Sequence, residues 1–222
     1  MKKITFLFSL FLVHFLVVGC ATNRGVVNLQ LEGSTVSQAT NGKSIFVQSV
    51  SDARVFEEAP RSADIPSLGF GGATAASNEI KKRAIARKRN GFGKALGDIL
   101  LDEGQTVEKV VKDTVCRSFK ELGYEVIDDP AKVDKDTIIA KVTIDKFWSW
   151  MNPGFWAITL NSEISTKIEL KDSSKQIDET IYAKVDGKYQ VAGTGNWLEI
   201  MQKGLTEYSG KLKAEFSGLA GL

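Results

Sequence analysis

Hydrophobic residues recur at helical spacing in two segments of this chain. In the first, Thr106 stands where it can cap a helix that starts at Val107 and stops at Gly123. In the second, Asn196 takes the cap position and Glu199 follows three residues later, which predicts a long C-terminal helix. The apolar stripes are Val107, Val110, Val111, Val115, Phe119 and Leu122 in the first helix, and Trp197, Met201, Leu205, Tyr208, Leu212 and Phe216 in the second.

Strands are predicted where apolar and polar residues alternate. Residues 43–50 are partly apolar on both faces, so this strand is expected to be central in a sheet. Residues 137–150, 155–170 and 177–185 alternate in turn, which predicts an antiparallel meander. A short strand follows the first helix, and the apolar patch in residues 26–31 can add an edge strand. The predicted fold is therefore α+β: a mostly antiparallel sheet, in the order strand, helix, strand, three-strand meander, with two helices packed on one face.

The chain divides into three predicted parts. Residues 1–19 form a signal peptide, residues 20–42 hold a Cys and a polar tether, and residues 43–222 form a single domain. Residues 57–105 lack a long periodic pattern and are rich in Gly and Pro. We therefore expect a long mobile loop there, of the kind that is usually functional when it interrupts a domain.

The N-terminal segment carries a motif with a specific consequence. Two lysines precede the apolar residues 4–18, a run too short to span a bilayer, and Gly19 is the small residue at the junction. Residues 16–20 resemble the lipobox of bacterial lipoproteins. The resemblance implies that Cys20 becomes the N-terminus and is acylated on its sulfur and its amine. Ala21, in place of Asp, implies the outer membrane and a domain that faces the periplasm. The alternative is an ordinary signal peptide followed by a chance Cys.

Composition excludes several functions. The single His in the chain is His14, inside the signal peptide, so the mature protein lacks Ser-His-Asp, Cys-His and His-zinc chemistry. The full chain has 29 Lys and Arg against 27 Asp and Glu, and loss of Lys2 and Lys3 makes the counts equal, which gives no global case for nucleic-acid binding. We expect no enzyme activity, cofactor or metal, although carboxylate-only glycosidase chemistry stays possible in principle. Cys116, on the first helix, is expected to be accessible but incidental.

A basic run lies within the predicted loop. Its members are Lys81, Lys82, Arg83, Arg87, Lys88 and Arg89. They predict contact with anionic lipid, lipopolysaccharide phosphate or an acidic partner. The alternative is a solvated face. Gly91 to Lys94 resembles a phosphate-binding loop, but Ala95 follows Lys94 where Ser or Thr is required, so nucleotide binding is not expected.

Aromatic residues cluster around the turn at residues 152–154. Trp156 has the same parity as Ile158 and Leu160, which predicts a core position. Trp148, Trp150 and Met151 are the candidates for a partner interface, because large exposed aromatics contribute much of the binding energy at interfaces. The alternative is that they cap the core of the sheet.

The order of elements after the lipobox resembles the YajG family of Gram-negative lipoproteins. The resemblance rests on the strand end at Asp52 and Arg54, the helix that closes on Leu122, Gly123 and Tyr124, and the long meander. It implies a non-enzymatic binding or scaffold domain, held in the membrane by Cys20, whose partner is another envelope protein or an anionic envelope component. The order is also similar to that of LptE and PqiC-type proteins. The alternative function is thus an auxiliary lipoprotein of a lipid or lipopolysaccharide transport machine.

Overall fold

The computed structural model describes residues 24–31, 33, 39, 41–90, 94–173 and 175–218. The predicted signal peptide and Cys20 lie outside this part of the chain. The described strands are β1 (Gly25–Val27), β2 (Ser44–Asp52), β3 (Ala84–Arg89), β4 (Ala95–Leu101), β5 (Glu125–Val126), β6 (Ile138–Asn152), β7 (Ile158–Lys171) and β8 (Gln176–Tyr189). The described helices are α1 (Gly72–Ala75), α2 (Asn78–Arg83), α3 (Val107–Glu121) and α4 (Thr194–Phe216), with a 3₁₀ turn at Pro130–Lys132.

All eight described strands belong to one sheet, which is organised around β6. One edge of β6 pairs with β7, and β7 pairs with β8, both antiparallel, as the predicted meander requires. The other edge of β6 is shared. The first half of β6 pairs with β2, and β2 pairs on its other side with β5. The second half of β6 pairs with β3, and beyond β3 the sheet continues with β4 and then β1.

The sheet is mixed and not mostly antiparallel, which corrects the predicted arrangement within the α+β class. The β2–β6, β2–β5, β3–β6 and β1–β4 pairs are all parallel. In each of these pairs the two strands are separated by a long stretch of chain, as parallel pairing requires. Alternation in a sequence shows which residues share a face, but it does not show strand direction, so this feature was not predicted.

The main core lies between the sheet and the two long helices. Thr106 caps α3 as predicted, since its Oγ1 accepts from the Lys109 N–H at 3.2 Å. The buried stripes of α3 and α4 join one hydrophobic cluster with β2, β6, β7 and β8. Two buried hydroxyl pairs add polar contacts to this layer: Ser118 with Ser209 at 2.8 Å, and Thr166 with Tyr208 at 2.8 Å. Both amphipathic helices therefore pack on one face of the sheet, as predicted.

A second, smaller core covers the opposite face beside β6. Leu68, Ala84, Leu100, Trp148 and Trp150 form it, and Phe56, Ala63, Ala76 and Ile80 pack against it. Residues 53–80 thus cover part of the sheet. Much of residues 57–105 forms α1, α2, β3 and β4, which corrects the predicted loop. Three consecutive basic residues at the end of β3 and a buried Asp98 in β4 hid the alternation that marks a strand.

The fold begins before the predicted boundary at residue 43. β1 is an edge strand, parallel to β4, which the apolar patch at residues 26–31 leaves open as an alternative to a tether. Val27 and Leu29 are buried in the main core. The Gln105 side chain accepts from the Leu29 N–H at 3.1 Å and donates to the Leu29 carbonyl at 3.0 Å. Part of the predicted tether is therefore an integral strand of the sheet.

Candidate functional site

Three connections lie at the same end of the sheet. The parallel pair Ala86–Ser149 points the ends of β3 and β6 in one direction. The start of β7 and the end of β8 lie at that end too, because Thr159 pairs with Asn152 and Ile158 pairs with Tyr189. We call this the aromatic end: it comprises the end of β3, the start of β4, the β6–β7 turn at residues 153–157 and the β8–α4 loop at residues 190–193.

Large hydrophobic side chains are exposed at the aromatic end. Phe155 is 91% exposed and Trp156 is 85% exposed, and their rings meet edge to face with centroids 4.8 Å apart. Val191 is 65% exposed in the β8–α4 loop. Phe70 is half exposed beside β4, with the Arg24 guanidinium 4.9 Å from its ring centroid. Exposed aromatics grouped in this way indicate an interaction surface.

The structure reverses the predicted roles of the tryptophans. Trp148 and Trp150 were predicted at an interface but are buried in the second core, where the Trp148 Nε1 donates to the Ala63 carbonyl at 3.2 Å. Met151 is half buried and packs against the main core. Trp156 was predicted in the core but is exposed.

Two local features explain this reversal. A bulge between Ile144 and Lys146 changes the parity of β6, so that Trp148 and Trp150 face away from the helices, and residues from the segment 53–80 bury them on that face. Trp156 lies in the turn before β7 begins at Ile158, so the parity of the strand does not reach it. The position of Phe155 and Trp156 directly after the Asn152–Pro153–Gly154 turn was the signal that could have placed both residues at the surface.

The basic run is split along β3. Lys81, Lys82 and Arg83 end α2, whereas Arg87, Lys88 and Arg89 lie toward the aromatic end of β3. The Arg83 Nε donates to the Leu101 carbonyl at 2.9 Å, and the Arg89 guanidinium donates to Pro60 and Ser67 at 3.1 Å each. Burial, followed by repulsion from Arg87, lowers the pKa of Arg89. These contacts give two separate groups of positive charge, and anionic binding by the whole run stays a prediction.

Asp52 and Arg54 form a buried clamp at the end of β2. The Arg54 Nε and Nη2 donate to the two Asp52 carboxylate oxygens at 2.8 and 2.7 Å. The guanidinium also donates to the carbonyls of Ala84 at 2.7 Å, Phe147 at 3.1 Å and Lys81 at 2.9 Å. All five guanidinium N–H groups are thus used. Although a cleft of about 270 Å³ lies beside it, this group holds β2, β3, β6 and α2 together and has no donor left for a ligand.

A cleft of about 780 Å³ lies at the opposite end of the sheet. Its charged lining is mixed: Lys43, Glu125, Asp134, Asp136, Asp172 and Lys175. Hydrogen bonds from the Thr137 hydroxyl at 2.7 Å and the Asp136 N–H at 3.1 Å lower the pKa of Asp134, whose carboxylate is engaged by its own turn. Among the described residues, no three His, Cys, Asp or Glu side chains are grouped to hold a metal ion. This mixed lining favours no particular ligand.

Comparison with known proteins gives a fold but no family. No protein-family model and no curated protein matches the chain. The crystal structure of XCC0632 from Xanthomonas campestris, described as a DUF330 protein, is similar with a TM-score of 0.51 and 12% identity, over 90% of this chain and 98% of that one. At this identity the likeness shows a shared fold alone.

Two further solved structures are more distant. An uncharacterized protein has a TM-score of 0.46 and 14% identity over 88% of this chain and 99% of that chain. A minor lipoprotein from Acinetobacter baumannii has a TM-score of 0.35 and 12% identity over 49% of this chain and 84% of that chain.

Within the part that the structure describes, no helix is both long and apolar enough to cross a membrane.

Cys116 is a half-buried thiol that packs against the main core. Burial raises its pKa to about 11; the nearby Lys112 and Lys120 oppose this effect, and Asp128 and Asp113 add to it. A thiol with this pKa is protonated at neutral pH and is a poor nucleophile. The sequence predicted an accessible thiol, and in the structure the thiol is only partly accessible.

Alkylation of Cys116 is expected to be slow in the folded protein. The pKa of about 11 lies two units above the usual thiol value of 9.0, so the thiolate fraction near pH 8 falls by about 100-fold. The rate of iodoacetamide modification, compared between the folded protein and the protein in urea at the same pH, checks this. A Cys20→Ala background leaves Cys116 as the single thiol. Equal rates in the two states would show that the thiol is not protected.

Proposed function

We propose that this chain is a lipid-anchored envelope lipoprotein of a YajG-like type, whose domain acts by binding and not by catalysis. The lipobox at residues 16–20 carries the proposal, because it makes Cys20 the acylation site. Two acyl chains already hold a protein stably on a membrane, and bacterial lipoproteins carry three. Ala21 after the Cys supports placement in the outer membrane, with the domain in the periplasm.

The short distance from Cys20 to the folded part supports a role at the membrane surface. Arg24 is four residues from Cys20, so an extended chain separates their Cα atoms by at most about 14 Å. The Arg24 Nε pairs with the buried Asp98 carboxylate at 3.4 Å, so the chain is fixed to the sheet at that point. Acylation of Cys20 would therefore hold the domain against the bilayer.

The chemistry of the described side chains supports binding over catalysis. After signal-peptide cleavage the chain has no His to act as a general base. The raised pKa of Cys116 disfavours a thiolate nucleophile, and Arg54 is fully committed to its own contacts. Exposed aromatic side chains are the feature that best fits a function, and what they fit is contact with a surface.

Replacement of Cys20 tests the anchor. Cys20→Ala, expressed with its own signal peptide in a Gram-negative host, should lose all metabolic labelling by a fatty acid analogue, because the acylated atoms are gone. Cys116→Ala is the matched control and should label like the wild type. Labelling of the Cys20→Ala protein at the wild-type level would overturn the proposal.

Crosslinking in intact cells distinguishes the two kinds of binding role. Trapped lipid-translocation or lipopolysaccharide-translocation components would favour the transport auxiliary similar to LptE or PqiC. Trapped structural envelope proteins would favour the scaffold role. Trp156 is a suitable place for a photoreactive residue, since its side chain is 85% exposed.

A further inference from the structure

We propose that the aromatic end of the sheet rests on the membrane that holds the anchor, with Phe155 and Trp156 entering the lipid interface. The proposal rests on the proposed acylation of Cys20. It gives the domain a fixed orientation and a second, non-covalent attachment to the bilayer.

The chain enters the fold at the aromatic end. β1 runs parallel to β4, and its first residue, Gly25, pairs with Ile99, so the N-terminal end of β1 faces the start of β4. Gly25 also lies close to the start of α4: a Cβ added there would be 3.0 Å from the Thr194 Oγ1. The anchor is at most about 14 Å from Arg24, so it holds this end of the sheet within that distance of the membrane.

The apolar surface of this end suits a lipid interface. Seven large hydrophobic side chains are exposed among the described residues, and three of them lie here: Phe155, Trp156 and Val191. A fourth, Phe70, lies beside Arg24. Trp is enriched where membrane proteins meet the headgroups, because its ring is apolar and its N–H is polar. Phe155 and Trp156 lie in a turn and are 91% and 85% exposed, so membrane entry requires no unfolding.

The charge of the β3–β4 hairpin fits anionic headgroups. Residues 84–97 contain Arg87, Lys88, Arg89 and Lys94 and no acidic residue. Lys94 is exposed next to the turn, and Arg87 is half exposed on β3. Basic residues near a membrane surface attract anionic lipid, and the attraction weakens with salt. In this orientation Arg87, Lys88 and Arg89, one half of the predicted basic run, are the ones that face the headgroups.

Trp156 is a natural reporter of membrane contact. The other three tryptophans are buried, with exposures of 0% for Trp148, 6% for Trp150 and 1% for Trp197. Quenching of Trp emission by brominated acyl chains therefore detects the lipid contact of Trp156. The mature chain, residues 20–222 with Cys116→Ser, is coupled through the Cys20 thiol to a maleimide lipid in vesicles of phosphatidylcholine and phosphatidylglycerol.

The expected result is a blue shift and partial quenching of Trp emission at low salt. Trp156→Phe keeps an aromatic ring at the turn but removes the reporter, so the quenching should disappear. Lys94→Glu should reduce the quenching, whereas Lys132→Glu, an exposed lysine in the 3₁₀ turn before β6, should leave it unchanged.

Quenching that is absent, or that is identical in the wild type and in Trp156→Phe, would overturn this orientation and leave the exposed aromatics to a protein partner. The chemical coupling supplies the anchor, so the result does not depend on acylation in cells. Failure of fatty acid labelling would overturn the proposed function instead, and the two failures are therefore distinguishable.

Discussion

Replacing Arg54 by Met is expected to destabilise the fold by about 3–5 kcal/mol, the usual cost of removing one partner from a buried ion pair. The substitution keeps an unbranched side chain but leaves the Asp52 carboxylate, which is 11% exposed, without its cation. It also removes the donors to three backbone carbonyls, those of Ala84, Phe147 and Lys81. Urea unfolding followed by circular dichroism measures the loss.

Two companion variants make this result specific. Arg61→Met removes an exposed arginine and should change the free energy of unfolding by less than about 0.5 kcal/mol. Asp52→Asn combined with Arg54→Met should cost less than the sum of the two single changes, because the two side chains share one interaction. An Arg54→Met protein as stable as the wild type would show that the clamp contributes little.

A mature chain shortened to begin at residue 43 should also be strongly destabilised, by about 3–6 kcal/mol. This figure comes from Val27 and Leu29, two buried side chains that contribute about 1.5–3 kcal/mol each. The truncation also removes Arg24 from the buried Asp98 and exposes the edge of β4 to other chains.

The matched control is a chain that begins at residue 24, which keeps every described residue and should unfold at the wild-type urea concentration. The shorter chain should unfold at a lower urea concentration and should aggregate on concentration, as seen by light scattering. Equal urea midpoints for the two chains would mean that β1 is dispensable and that the domain does begin at residue 43.

Long amphipathic elements were predictable from the sequence. The α3 stripe, its Thr106 cap and its glycine stop are local signals, and each was correct, with Gly123 at a φ of +86°. α4 begins two residues before its predicted cap: Asn196 instead accepts from the Gly193 N–H at 3.2 Å. The meander was predicted because three long strands repeat the same alternation.

The direction of the strands, and the burial of β3 and β4 on both faces, could not be predicted in the same way. Strand direction depends on where the chain returns, and β3 pairs with β6 across more than 50 intervening residues. β3 and β4 were missed because each contributes to both cores, so neither shows a clean polar face. The sequence left β1 undecided, because a strand of three residues is too short to show a clear alternation of apolar and polar positions.

The surface features needed the structure for a similar reason. A single bulge in β6 exchanged the faces of Trp148 and Trp150, and alternation alone cannot locate a bulge. The basic run is one continuous patch in the sequence, but in the structure its first half ends α2 and its second half lies in β3. The position of Gly25 beside β4 depends on the pairing of β1 with β4, which joins residues far apart in the chain.

Mass spectrometry of the intact mature protein tests the central claim, the lipid anchor, most directly. The protein is expressed with its own signal peptide in a Gram-negative host and purified from the membrane fraction in detergent. The predicted result is a chain that begins at Cys20 and carries the mass of three acyl chains on that residue. A mature chain that begins at another residue, or that begins at Cys20 without any acyl chain, would contradict the proposed anchor and the function built on it.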